Sequence, residues 1–424
     1  MQSVGSPPPT SGRRRAVLVA KLIVAAALIA LVVRAVPLGD TLIVSEDGEE
    51  TAHAGRIVGD WRAERIAFEL ADRSAADHPP IAEFLSPATG LLHVGRTDGD
   101  PEQAPDGRIV IRWRPGMVRV LRGLEPAGLL GALACFALGY VIVALRWRHL
   151  LVAIGCETSW REVLRFTALG LFFGIAMPGM WGGDVAKAVL VARRHPARKA
   201  DALVSVAVDR IIGLISLVAV AATVVFAMGE TFAELRLPVL ALVIATGLVV
   251  GIAGSRRLRA ALRIDALLAR HPLGGRAARM IDVFQTFADR RKSTLAALLL
   301  SFVNCAVVVL GVRILGRSMG DEVLSDAGYF AVVPLANLIS TIPVAPGGWG
   351  IGEAAFGSLF GLLGASPAIG VSTSVAFRTC LVVLGLAGGT ILLGKAGRGL
   401  AGELRSPPKT LVVSRTDADD SGPP

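Results

Sequence analysis

From Leu124 to Leu393 apolar residues gather in runs of about twenty, separated by short basic loops. A helix rises about 1.5 Å per residue, so a run of that length crosses a hydrocarbon layer of about 30 Å. The runs Leu124–Leu145, Ala202–Ala227, Leu237–Ala253, Thr294–Leu315 and Ala368–Leu393 therefore predict transmembrane helices, and Ala16–Val36 predicts one more near the start. The first run is longer than a signal-peptide core and no A-x-A site follows it, so an uncleaved helix is expected there. Two further apolar stretches, Val163–Trp181 and Ala327–Gly364, are broken by glycine and proline. Irregular backbone at membrane depth is tolerated only where protein or a wet cavity surrounds it, which makes these breaks informative.

Between Asp40 and Arg112 the pattern changes, with 15 Asp and Glu against 7 Arg and no Lys. Arg65–Leu70 and Arg108–Trp113 alternate apolar and polar positions, as half-buried strands do. A small strand-rich extracytoplasmic domain over 37–123 is predicted, with a partly ordered loop as the alternative. From Ser255 to Ser293 there are 10 Arg and Lys against 3 Asp. Within that loop Met280, Val283, Phe284 and Phe287 repeat at helical spacing, which suits an amphipathic helix on the inner leaflet or one packed on the protein.

Charge changes the picture by fixing orientation. The net charge of +10 sits in loops beside apolar runs rather than on a nucleic-acid-binding face. Arg146, Trp147, Arg148 and His149 read as a basic and aromatic anchor at a cytoplasmic interface. The predicted organisation is a cytoplasmic tail (1–15), a first transmembrane helix (16–36), the acidic domain (37–123), a transmembrane domain (124–394) and a cytoplasmic tail (395–424). Both termini are then cytoplasmic, in a multi-pass protein of the cell membrane. The four cysteines have no metal-ligand spacing, and neither a metal nor another cofactor is expected.

Both breaks carry one motif. Pro178, Gly179, Trp181 and Gly182 recur 168 positions later as Pro346, Gly347, Trp349 and Gly350, with Gly183 in the first motif and Pro343 and Gly348 in the second. Each motif is followed by a carboxylate, Asp184 or Glu353, and Arg210 and Arg378 repeat the 168-residue offset. Basic flanks place the first break on the cytoplasmic side, and the final run, reaching Lys395 and Arg398 inside, places the second on the outer side. The predicted fold class is thus an all-α polytopic membrane protein with inverted-topology repeats and two re-entrant broken helices. Packing kinks are the plainer alternative for the breaks.

An ion in hydrocarbon needs a partner or water. Asp184, Arg210, Glu353 and Arg378 are expected to face one polar cavity, the arginines holding an anionic group and the carboxylates pairing with them between substrates. Lys187 and Asp209 are secondary candidates for the same cavity. Asn337 either lines it or bonds a neighbouring helix, and Trp181 and Trp349 are interfacial anchors or plugs. The bland alternative makes Asp184 and Glu353 helix caps and the arginines structural ion pairs. No catalytic constellation stands out.

These residues resemble the transmembrane region of lysylphosphatidylglycerol synthases and their flippase-like relatives. The landmarks are Leu145-Arg146-Trp147, the Met177–Asp184 break followed by Lys187, the helix Asp209–Leu214, and Pro343–Ala355. The resemblance covers about Leu124 to Leu393. It implies a membrane domain that flips an aminoacylated or polyprenyl-linked lipid, with these carboxylates and arginines in its polar cavity. Two departures stand out: Gly174-Ile175 where relatives often place Asn, and Lys187 where they often carry Arg. A soluble aminoacyl-transfer domain is not expected within the 424 residues, and the acidic domain is an addition.

The expected function is a non-enzymatic flippase or transporter that moves an anionic phospholipid or lipid-linked glycan head group between leaflets. A membrane-embedded transferase acting on a lipid carrier and an envelope scaffold are the alternatives. Expected partners are a membrane phospholipid or polyprenyl-linked lipid, an envelope protein bound through 37–123, and a second copy of the chain. Nucleic acid is not among them.

Overall fold

The protein is described by a computed structural model covering residues 39–46, 49–61, 63, 65–72, 86, 89–95, 110–176, 182–263, 281, 285, 290–341 and 350–393. The predicted first helix (16–36), most of the basic loop with its amphipathic pattern, and the C-terminal tail lie outside the described residues. So do Pro178, Gly179, Trp181, Pro343, Pro346, Gly347, Gly348 and Trp349.

The acidic region folds as an antiparallel sheet of five strands, β1 (Asp40–Glu46), β2 (Glu49–Val58), β3 (Arg65–Leu70), β4 (Leu92–Gly95) and β5 (Val110–Arg114), in the order β4-β3-β2-β1-β5. Its core side chains alternate along the strands: Leu42 and Val44, Ile66 and Phe68, Leu92 and Val94. This is the period of two that a one-sided sheet requires. The sheet is fixed to the helix that follows, α1 (Met117–Arg122), by buried Asp40. Its carboxylate accepts from the backbone N–H groups of Ile57 and Gly116, both at 2.8 Å, and from Arg119 Nε at 2.7 Å.

Helices follow: α2 (Pro126–Ala153), α3 (Trp160–Ala176), α4 (Gly182–Arg194), α5 (Lys199–Ala227), α6 (Ala233–Gly254), α7 (Arg256–Ala261), α8 (Arg291–Ser318), α9 (Asp326–Ser340), α10 (Ile351–Leu362) and α11 (Pro367–Gly389). Among the described residues, five segments are long and apolar enough to cross a membrane, and they fall in α2, α5, α6, α8 and α11. The outer surface is apolar, with Leu130, Leu237, Ile244, Leu295 and Leu299 all more than half exposed. The Arg146–Asp209 and Arg378–Glu353 ion pairs lie inside. A water-soluble protein would reverse this distribution, because exposed apolar surface is favourable only against lipid.

The helices described on either side of each break pair with each other. α3 packs on α4, and α9 packs on α10. Among the described residues the most extensive helix contact joins α2 and α8, which are 28 residues long each. Partners are exchanged across the bundle, since α5 lies on α9 and α11 lies on α3. α1 packs against α11, so the sheet, held to α1 by Asp40, is tied there to the helix bundle.

One sequence expectation needs correction. Arg146 and Trp147 are not an interfacial anchor, because α2 runs on to Ala153 and both residues are buried, Trp147 completely. The helix continues past the charge because Asp209 of α5 neutralises Arg146 inside the bundle.

Candidate functional site

A cavity of about 710 Å³ opens between the helices. Its lining comes from α2, α3, α4 and α5 of the first half of the helical region and from α8, α9 and α11 of the second. Six of the seven residues expected there line it: Asp184, Lys187, Asp209, Arg210, Asn337 and Arg378. The seventh, Glu353, stands directly behind Arg378.

Helix spacing explains how the walls are made. On α2 the lining residues Phe136, Gly139, Tyr140, Val143 and Arg146 recur every three or four positions, and on α8 Ser301, Asn304, Cys305 and Val308 do the same. Each set is a single helical face. Apolar and polar groups alternate along these faces, so the cavity can hold an amphipathic guest.

Two ion pairs occupy the positions that the repeated motif marks. Arg210 of α5 reaches Asp184, in the first turn of α4, through two bonds, Nε–Oδ2 at 2.6 Å and Nη2–Oδ1 at 2.9 Å. Arg378 of α11 reaches Glu353, in the first turn of α10, with Nε–Oε1 at 2.6 Å. The Arg210 side chain is 56% accessible and the Arg378 side chain only 13%, so the first guanidinium is presented to the cavity and the second is nearly shut in. Glu353 also caps its helix, since its Oε2 accepts from the Gly350 backbone N–H at 2.5 Å. Gly350 has φ +85°, a conformation open to glycine and strained for other residues. Glu353 therefore both caps its helix and pairs with Arg378.

Asp209 does not point to the substrate space as a free carboxylate. It accepts from Arg146 Nε at 2.7 Å, and Arg146 Nη1 donates to Ser301 Oγ at 2.8 Å. Both charged side chains are 6% accessible. Lys187 lies one turn beyond Asp184, buried, with its Nζ 5.4 Å from the centre of the Trp147 ring. The indole N–H of Trp147 donates in turn to Ser205 Oγ at 3.2 Å.

The sequence reading did not assign Arg146, Tyr140, Ser301, Asn304 or Ser340 to the site. The signal for the first two was the helical spacing with Gly139 and Val143. Ser301 and Asn304 had no signal beyond lying three apart in an apolar run.

Small residues make the room these side chains use. A Cβ on Gly352 would lie 1.8 Å from Arg378 Nη2, and one on Gly183 would lie 2.3 Å from the carbonyl oxygen of Gly170. Backbone meets backbone at that second point, so α3 and α4 approach closely only because Gly183 has no side chain. Gly183→Ala is expected to force the two helices apart and lower stability by about 1–3 kcal/mol. The unfolding midpoint of the purified protein in detergent measures this, and an unchanged midpoint would mean that the α3–α4 contact is looser than described.

Residues 115–389 match the family model described as the lysylphosphatidylglycerol synthase TM region. The chain belongs to this family. It is a membrane protein, and the matched region contains every cavity residue while the five-stranded sheet precedes it. Comparison with curated proteins gave no match.

Proposed function

We propose that this member of the lysylphosphatidylglycerol synthase TM-region family is a flippase-type transporter that carries an anionic lipid head group between leaflets by alternating access. Family membership supports a role in lipid head-group handling. The observation that carries the transport reading is the cavity of about 710 Å³ walled by both halves, with an arginine–carboxylate pair from each half at equivalent positions.

The two halves are read as inverted-topology repeats, α2–α5 and α8–α11, each with a re-entrant helix pair. Packing supports this. The exchange of α5 onto α9 and α11 onto α3, about the central pair α2 and α8, is what a two-fold relation within the chain generates. In this reading the chain is multi-pass in the cell membrane with both termini cytoplasmic.

Arg210 is the residue prepared to take a phosphate. Its planar fork already makes two bonds to Asp184, and phosphate oxygens fit the same geometry. Arriving phosphate replaces the carboxylate on Arg210, and Asp184 recovers the arginine when the head group leaves. The pair at Arg378 and Glu353 performs the same exchange when the opposite side opens. The exchange keeps each guanidinium paired with an anion in both the filled and the empty state.

The test is reconstitution into liposomes with tail-labelled fluorescent phospholipid, followed by quenching from outside. Expected is protein-dependent movement between leaflets without a new lipid species, reduced at least about tenfold by Arg210→Gln. Formation of a modified lipid would identify a transferase instead.

A further inference from the structure

Taken as a head-group route, the cavity carries a charge count that narrows what can enter. Its cations are Arg146, Lys187, Arg210 and Arg378, and its carboxylates are Asp184, Asp209 and Glu353. Each carboxylate is held by an arginine at 2.6–2.7 Å. Lys187 is the cation left over in this one-to-one pairing, and it lies on the α4 wall against an indole ring. That wall therefore has one excess positive charge.

The lining from α8, α9 and α11 is different in kind. Asn304, Asn337, Ser340 and Thr341 are uncharged, and its one cation, Arg378, is paired with Glu353. Asn304 Oδ1 is buried and has no hydrogen-bond partner. It faces the bare Gly139, where an added Cβ would come within 3.1 Å of it. A buried acceptor left unpaired is unfavourable, so this oxygen marks a place where a guest donates a hydrogen bond.

We propose that the site selects a singly charged phosphodiester bearing an uncharged hydroxylated group, and discriminates against head groups that carry an ammonium. The phosphate is drawn to Lys187 and Arg210, and a hydroxyl supplies the donor that Asn304 lacks. An ammonium would also donate, but a singly charged phosphate already balances the one cation in excess, and an ammonium would bring that excess back. The proposal rests on the transport reading above and would make Lys187 the residue that sets charge preference.

Two sources share this chemistry, the glycerol head group of phosphatidylglycerol and a sugar on a polyprenyl monophosphate. The experiment uses the full chain in liposomes with tail-labelled phosphatidylglycerol, a labelled polyprenyl-monophosphate glucose, phosphatidylethanolamine and lysylphosphatidylglycerol, each assayed separately by quenching. Expected is movement of one or both of the first two at least about tenfold faster than either ammonium lipid. Lys187→Gln is expected to lessen that ratio and Lys187→Arg to keep it. The ratio is the readout, because a purely structural lysine would slow all lipids alike.

Equal rates for phosphatidylglycerol and phosphatidylethanolamine would overturn the selectivity while leaving transport standing, and faster movement of either ammonium lipid would do so too. Movement of none of the four lipids, with insertion verified, would sink the transport reading and this inference with it. If Lys187→Gln does not fold, the lipid panel on the unaltered protein and on Lys187→Arg still decides.

Discussion

Arg378→Leu is expected to lower stability by about 3–5 kcal/mol and to abolish transport. The reason is what the substitution leaves behind. Glu353 is 4% exposed, and without Arg378 its charge would have the Gly350 N–H and the Ser374 hydroxyl, at 3.4 Å, but no cation. The partner variant separates structure from function. Replacing both residues, Arg378→Leu with Glu353→Leu, removes both charges and is expected to restore most of the stability, since a buried ion pair is seldom better than well-packed apolar groups. Transport should stay lost. Denaturation in detergent and lipid quenching in liposomes measure the two. A double variant that transports normally would reduce the pair to a structural role, and a single variant of full stability would contradict the burial of Glu353.

Arg146 and Arg210 are expected to give opposite signatures although both are arginines paired with aspartate across the same cavity. Arg146→Met leaves Asp209 uncompensated in a site where both partners are almost inaccessible, and a loss of about 3–5 kcal/mol follows. Arg210→Gln acts on a side chain that is 56% accessible, so its stability effect is small while its effect on transport is large. The same denaturation and quenching assays check the split. If Arg146→Met folds as stably as the parent and Arg210→Gln does not, the division between a positioning pair and a ligand-facing pair is wrong.

The membrane-crossing segments were legible because lipid imposes a simple rule on sequence, a run of about twenty apolar residues per crossing. Four predicted spans, 124–145, 202–227, 294–315 and 368–393, fall on α2, α5, α8 and α11, and 237–253 falls within α6. Helix ends were less legible. α2 continues through Arg146 and Trp147, since hydropathy alone treats a charge as an edge when its partner lies elsewhere. In the sheet, Arg65–Leu70 was visible because its alternation is local, and it is β3.

The site was legible in part for a different reason. Asp184 with Arg210, and Glu353 with Arg378, stood out because the same arrangement occurs twice along the chain. Arg146, Ser301 and Asn304 had no second copy to draw attention to them. Arg146 and Ser301 are 155 residues apart, and their bond exists only because α2 and α8 lie side by side.

By itself the sequence determined that this chain enters a membrane, that a small sheet precedes the family region, and that two carboxylates and two arginines recur in register. Those are consequences of local hydropathy, local alternation and repetition. Only the tertiary structure decided which arginine faces the cavity and which is shut in, that Asp209 belongs to Arg146, and that Lys187 is the cation in excess. Such choices depend on how each helix is rotated against neighbours distant in the chain, and close packing at glycines such as Gly183 and Gly352 sets that rotation.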